Sequence, residues 1–396
     1  MPKRTRQTLK TTPILFALIV AGLCFETNAS TNPPLNPVRL IFIHHSCGQN
    51  WLSDSNGGLG IALRDNNYFV SDTNYGWGPD GIGSSTDIGH WWLWYRGPNS
   101  STYLSALCSE SESHSTYTRL SGAVTGENQI IMFKSCFPNS ALKGSISDTV
   151  PPIDSNPLRG ESCGSQYHTI ANAKGIYIDI LEYFRTRPDK LFIVITAPPL
   201  VDDTNADNAR AFNNWLVNAW LEGYSVGNVF VFDFYNILTS NGGDANTNDL
   251  GSGSGNHHRW WNGEVQHKTD GDDDSSPNTL EYPTGDDHPS SAGNRKATAE
   301  FIALLNNAYN NFQTTPTPTP TPQTPTPTAP HTPTPTATPS GNPTEVPTSP
   351  TTMPTDEPEG TGAGVPTEIL YTTAAVGAAS IIAAAYFISK KQKKQP

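Results

Sequence analysis

Five short apolar runs punctuate the chain up to residue 237: VRLIFIHHS (38–46), YFVSDTNY (68–75), NQIIMFKSC (128–136), KLFIVITAPP (190–199) and NVFVFDFYNI (228–237). None alternates apolar with polar residues at a period of two. A strand with one wet face would do so; these runs predict strands covered on both faces. Helical periodicity fills the gaps. GGLGIALRDN (57–66) is short, whereas 169–186, 208–223 and 290–312 repeat apolar residues at a spacing of three and four. Ser290 or Ser291 is a candidate cap for the last helix. Strand followed by helix, repeated, predicts a three-layer α/β/α sandwich on a parallel five-stranded sheet. Two stretches, 76–127 and 238–287, are too long for plain connections, and long insertions at a sheet's edge often carry binding or chemistry.

After residue 312 the pattern stops. Residues 313–366 are dominated by alternating Pro and Thr, which cannot form a core and favours extended polyproline II. This stretch is expected to be a disordered stalk. At the start, a basic segment, an apolar run and small residues near Ala29 read as a signal peptide over 1–30. At the end, 367–389 is alanine-rich, apolar and of spanning length, and 390–396 carries four lysines. The expected arrangement is an outward-facing globular domain over 31–312, a stalk, one C-terminal transmembrane helix contacting the membrane, and a short basic cytoplasmic tail. That is a cell-surface, single-pass protein.

Charge sharpens this picture. The chain has 24 Lys and Arg against 36 Asp and Glu, a net charge of −12. The part between the two ends is more acidic still, because eight of the basic residues lie at the ends. Such a surface argues against nucleic acid as a partner. Cys47, Cys108, Cys136 and Cys163 remain after the leader; an even number in an exported chain predicts two disulfides, with three pairings open. No zinc-finger spacing is present, and no metal or other cofactor is expected.

Candidate chemistry gathers at strand ends, the usual ligand edge of an open parallel sheet. Ser46 follows the first strand, Cys136 and Asn139 follow the third, and Asp286, Asp287 and His288 precede the last helix. A serine hydroxyl becomes a nucleophile when an imidazole takes its proton and a carboxylate fixes that imidazole's tautomer. His288, with Asp286 or Asp287 beside it, supplies both functions. Asn139 offers an amide to a developing oxyanion, together with the Ser46 backbone N–H.

Taken in order, Ser46 after strand one, a glycine-rich turn (NYGWGPDG, 74–81) after strand two, Asn139 after strand three and Asp-His-Pro before the last helix resemble the four blocks of the SGNH (GDSL-like) hydrolases. The resemblance implies a flavodoxin-like sandwich with Ser46 as nucleophile and His288 as base. Asn139 and the backbone N–H of Gly78, or next Gly76, would form the oxyanion hole. Strand order in that family would make strands one and three neighbours and bring Cys47 near Cys136; Cys136 with Cys163 is the competing pair. The chain departs from the family pattern in three places. HHSCG replaces Gly-Asp-Ser, Pro138 and Ser140 flank the asparagine, and Gly285 stands where the family usually has its aspartate. Asp286 is the nearer carboxylate.

Trp91 and Trp92, in a run of aromatics, and His258, in GNHHRWW, are candidate substrate contacts, since aromatic faces stack on sugar rings. Anchoring of long loops is the competing role for all three. His44 and His45 point to opposite faces if the strand runs through them. The acidic stretch 270–274 lacks the terminal glutamate of a calcium loop, and Asn99 heads an N-glycosylation sequon. The expected activity is hydrolysis of oxygen esters by a serine esterase through an acyl-enzyme, with acetylated polysaccharide or another small ester as substrate. A non-catalytic carbohydrate-binding or adhesion domain on the same fold is the alternative, and metal-assisted hydrolysis is a third reading.

Overall fold

The computed structural model describes residues 30–122, 124–239 and 278–314, and the backbone of 258–261 and 264–267. All of them fall in the first of two compact units, residues 1–322 and 323–396. Five strands form one parallel sheet: β1 (Val38–Ile43), β2 (Tyr68–Thr73), β3 (Ile130–Lys134), β4 (Leu191–Ile195) and β5 (Val229–Phe232). Their order is β2-β1-β3-β4-β5, the flavodoxin-like arrangement. The chain steps outward from β1 to β2, then returns past β1 to β3. The crevice above β1 and β3 is therefore the point at which ligands bind in such sheets.

Strand periodicity explains the two cores. Leu40, Phe42, Ile130, Met132, Ile193 and Ile195 face one side; Ile41, Ile43, Ile131, Phe133, Phe192 and Val194 face the other. The first side is covered by α1 (Ser46–Leu52), α2 (Leu59–Asp65), α7 (Phe234–Thr239) and α8 (Ser291–Thr314). On α8, Ala297, Phe301, Leu304, Leu305 and Ala308 line one stripe at helical spacing. The second side is covered by α3 (Trp91–Tyr95), α4 (Ser100–Ser109), α5 (Ile170–Arg185) and α6 (Ala206–Asn218). On α5, capped by the Thr169 hydroxyl, Ile170, Ala173, Ile176, Ile180 and Phe184 make the matching stripe.

The strands end earlier than the apolar runs suggested. His44 and His45 lie past β1, and His45 is the N-cap of α1. The insertion 76–127 is not irregular throughout: it contains α3, α4 and two short 3₁₀ turns. The WWLWY run conceals a helix because it lacks a polar face: Trp91, Trp94 and Tyr95 are buried, and Trp92 and Leu93 are half-buried against the same core. In the second insertion, β6 (His258–Trp261) and β7 (Glu264–His267) pair antiparallel.

Two groups of expectations are corrected here. Cys47, Cys108, Cys136 and Cys163 are free thiols, so the two expected disulfides are not formed. Among the described residues no helix is long and apolar enough to cross a membrane. The membrane tether, the membrane as a partner and the cell-surface, single-pass placement built on that tether are withdrawn with it. The stretch 367–389 lies outside the described residues, as do the leader up to residue 29, the Pro/Thr-rich stretch beyond Thr314, the 390–396 tail and the acidic run 270–274.

Candidate active site

Ser46 opens α1 directly after the β1 edge, and α1 is held against α8 by a buried aromatic stack. The Trp51 ring lies 4.8 Å from Phe234 and 5.3 Å from Phe301, and its indole N–H donates to Thr298 Oγ1 at 2.9 Å. The Thr298 hydroxyl lies 2.8 Å from Gly57 O, and Asn294 Nδ2 donates to Asn56 Oδ1 at 2.8 Å. These contacts fix the start of α8, and with it the short loop 283–290, relative to Ser46. Gly293 closes the approach: a Cβ there would sit 2.8 Å from Tyr282 and Leu238 side-chain atoms.

On that loop, His288 Nε2 lies 2.8 Å from Ser46 Oγ. His288 Nδ1 lies 3.1 Å from Asp286 Oδ1, which also accepts the His288 backbone N–H at 2.8 Å and faces the Thr284 hydroxyl at 2.9 Å. A carboxylate only accepts, so Nδ1 carries the proton and the Nε2 lone pair faces the serine. Burial pushes the Asp286 carboxyl up, but the His288 N–H, Thr284 and the imidazole outweigh it and hold the group below its ordinary value. Asp287 turns away and accepts the Val201 N–H at 2.9 Å. Phe137 meets the His288 ring edge to face, with centroids 4.9 Å apart.

Asn139 is buried at the β3 end, and its amide is already committed. Nδ2 donates to Asp87 Oδ1 at 2.7 Å and to Cys136 O at 3.3 Å, while Oδ1 accepts the Ile88 N–H at 2.8 Å. Burial raises the Asp87 carboxyl, but Asn139, the Cys163 N–H and His90 bring it below its usual range, so it is an anion. Gly78 adopts φ 76°, ψ −177°, a conformation essentially restricted to glycine. Its loop is tied to the nucleophile by His45, whose Nε2–H donates to Gly83 O at 2.7 Å. Burial lowers the His45 pKa, which keeps the ring neutral with Nδ1 accepting from the Thr86 hydroxyl at 3.0 Å.

Two cysteines border the serine. Cys136 Sγ lies 4.0 Å from Ser46 Oγ and 4.0 Å from the buried Lys134 Nζ. The Cys47 thiol donates to it, and this bond, reinforced by Lys134 and the Cys47 backbone N–H, holds Cys136 well below the ordinary thiol range. Burial and the same bond drive Cys47 well above that range.

Trp91 has no exposure and donates its indole N–H to Ser135 Oγ at 3.0 Å; its ring packs edge-on against Phe133. It is a core residue, correcting its expected role as a sugar platform. The Trp92 ring is capped by the Arg159 guanidinium at 5.3 Å, itself bonded to Asp179. The side chain of His258 lies outside the described residues. Tyr75, passed over in the sequence, lies at the site. Its ring stacks on His45 with centroids 3.9 Å apart, and burial raises the pKa of its hydroxyl. Among the described residues no group of three or more His, Cys, Asp or Glu side chains is placed to hold a metal ion.

No family model matches the chain, and no curated protein matches it. One solved structure is similar at 15% identity and a TM-score of 0.26: a carbohydrate esterase whose active site is described as displaying divergent catalytic and non-catalytic binding functions. The likeness covers 52% of this chain and 59% of that one, short of two thirds of its length.

Proposed function

We propose that the chain is a serine esterase that cleaves oxygen esters through an acyl-enzyme. Ser46 Oγ attacks the acyl carbon while its proton passes to His288 Nε2. Asp286 holds the ring in the tautomer that can accept that proton and offsets the positive charge that follows. The leaving alcohol takes the proton back from Nε2. Water then attacks the acyl-serine by the same path, with His288 again the base. The observation that carries this reading is the line from Asp286 Oδ1 through His288 to Ser46 Oγ, with gaps of 3.1 Å and 2.8 Å.

The substrate we infer is a short acyl group, acetyl above all, on a bulky alcohol such as a polysaccharide. The His288 side chain is 25% exposed and that of Asp286 55%, so the machinery sits at the rim of the sheet and not at the bottom of a channel. A polymer can lie across such a rim. The test is turnover of p-nitrophenyl acetate and of acetylated polysaccharide by the full chain, beside Ser46→Ala and His288→Ala. Loss of activity in both variants supports the reading; equal activity in all three proteins overturns it.

The second reading, a carbohydrate-binding domain without turnover, is favoured by one observation. The Asn139 amide, the expected oxyanion donor, is engaged by Asp87 at 2.7 Å. It predicts glycan binding unchanged in Ser46→Ala and no ester hydrolysis by any form of the protein.

A further inference from the structure

An acyl-transfer site needs donors already aimed at the oxygen that becomes negative. The Asn139 amide is held by Asp87 at 2.7 Å, which leaves more of that task to the Ser46 backbone N–H. That N–H belongs to the peptide unit joining His45 to Ser46. The unit is trans and planar, so its N–H points opposite to its C=O. Whatever holds the His45 carbonyl therefore also aims the Ser46 N–H. Two donors meet at that carbonyl: the Gln49 N–H at 2.9 Å and His44 Nδ1 at 2.9 Å.

The His44 imidazole is itself held firmly. It has no exposure, and its Nε2 lies 3.0 Å from Asp72 Oδ2. Carbonyl and carboxylate oxygens only accept, so both ring nitrogens donate. Phe42 packs against the ring with centroids 4.7 Å apart. Gly48 of α1 packs against it too, and a Cβ there would sit 2.6 Å from His44 Cγ. The glycine of HHSCG is thus what admits an imidazole beside the first turn of α1. The ring of His45, the residue whose carbonyl is gripped, is anchored separately to Gly83 O at 2.7 Å and to the Thr86 hydroxyl at 3.0 Å. A donor held in place before the reaction costs no reorganisation during it.

We propose that His44 is a positioning residue for the oxyanion hole, fixing and polarising through the His45 carbonyl the peptide whose N–H meets the developing charge; this rests on the assignment of Ser46 above. As the bond from Ser46 Oγ to the acyl carbon forms, the Oγ proton moves to His288 Nε2 and the carbonyl π pair moves onto oxygen. That oxygen accepts from the Ser46 N–H. A hydrogen bond received at one end of a peptide strengthens the bond donated at the other, by about 10–30%. The larger effect is geometric, since a displacement of about 1 Å can cost on the order of 100-fold in rate. Asp72 holds the imidazole, and the imidazole holds the peptide. His44 itself touches neither substrate nor the reacting atoms.

Two substitutions of His44 separate this role from simple support of the fold. Asn puts its amide nitrogen near the place of Nδ1 and keeps a donor for the His45 carbonyl. Gln puts it near the place of Nε2 and keeps a donor for Asp72. With p-nitrophenyl acetate and the full chain, kcat of His44→Gln should lie about 10-fold or more below that of His44→Asn, with KM within about twofold. Urea midpoints should rank the other way, because His44→Asn leaves a buried Asp72 oxygen without its partner. If Ser46→Ala abolishes turnover but the two variants differ less than about threefold in kcat, or rank in kcat as they do in midpoint, the inference is overturned and the Ser46 assignment stands. The wild type supplies a check that needs no variant to fold: nitrogen-15 spectra at pH 7 should show a proton on His44 Nδ1, and a bare Nδ1 overturns the inference. If wild type and Ser46→Ala are equally active or equally inert, the serine assignment fails and the inference falls with it.

Discussion

Asp72 is the most demanding polar residue beneath the candidate site. It has no exposure, and its Oδ2 lies 3.0 Å from His44 Nε2, also fully buried. Its other oxygen accepts the His114 N–H at 2.7 Å and the Tyr117 hydroxyl at 3.0 Å. His44 Nδ1 in turn lies 2.9 Å from His45 O, the carbonyl that receives the first bond of α1 from the Gln49 N–H at 2.9 Å. Asp72→Asn keeps the shape and removes the anion. Breaking one partner of a buried pair costs about 3–5 kcal/mol, and the two retained acceptor contacts place this site toward the lower figure. Urea denaturation followed by tryptophan fluorescence at pH 7 should show that loss. Burial raises the Asp72 carboxyl, but His44, Ser115 and the His114 N–H outweigh it and hold the folded-state pKa below the ordinary value. A group depressed in this way stabilises the fold above its unfolded pKa of about 3.9 and loses that contribution as pH falls through the folded value. The gap between wild type and variant should therefore be constant from neutrality to about pH 5 and close below about pH 4. A loss under about 1 kcal/mol at pH 7, or a gap that widens as pH falls below about 4, would refute the assignment of an ionised buried carboxylate.

Two further predictions concern the residues around Ser46. Iodoacetamide should modify Cys136 first, and with little slowing between pH 8 and pH 6, because the Cys47 thiol and Lys134 hold it as a thiolate; peptide mapping that finds Cys47 or Cys163 labelled ahead of it would contradict this. Asp286→Ala should lower kcat for p-nitrophenyl acetate by about 10- to 1000-fold, a range set below that of a buried triad aspartate because Asp286 is half open to water. Asp287→Ala, whose carboxylate serves the Val201 N–H, should change kcat less than about threefold; the reverse ranking would move the orienting role to Asp287.

The sheet was legible because its strands are buried on both faces and so read as apolar runs. Their ends were overrun by two to five residues, in the first two strands where polar side chains such as His44 and Asn74 continue the run. Helices α5, α6 and α8 announced themselves by period, whereas α3 did not, since Trp91, Trp94 and Tyr95 sink into the core together. The order of Ser46, Asn139 and His288 along the chain pointed to one rim. What the Asn139 amide does there was not readable, because it is decided by Asp87, which lies 52 residues away in a segment that carried no motif. The even cysteine count misled because it reports parity and says nothing of whether any two sulfurs are joined.

The central claim is that the Ser46 hydroxyl is activated by His288. Its most direct measurement is a fluorophosphonate reaction of the full chain, read by peptide mapping, for wild type and His288→Ala. The account predicts one adduct, on Ser46, that forms at least about 100-fold more slowly in the variant. An adduct on another residue, or labelling of Ser46 at equal rates in the two proteins, would contradict it.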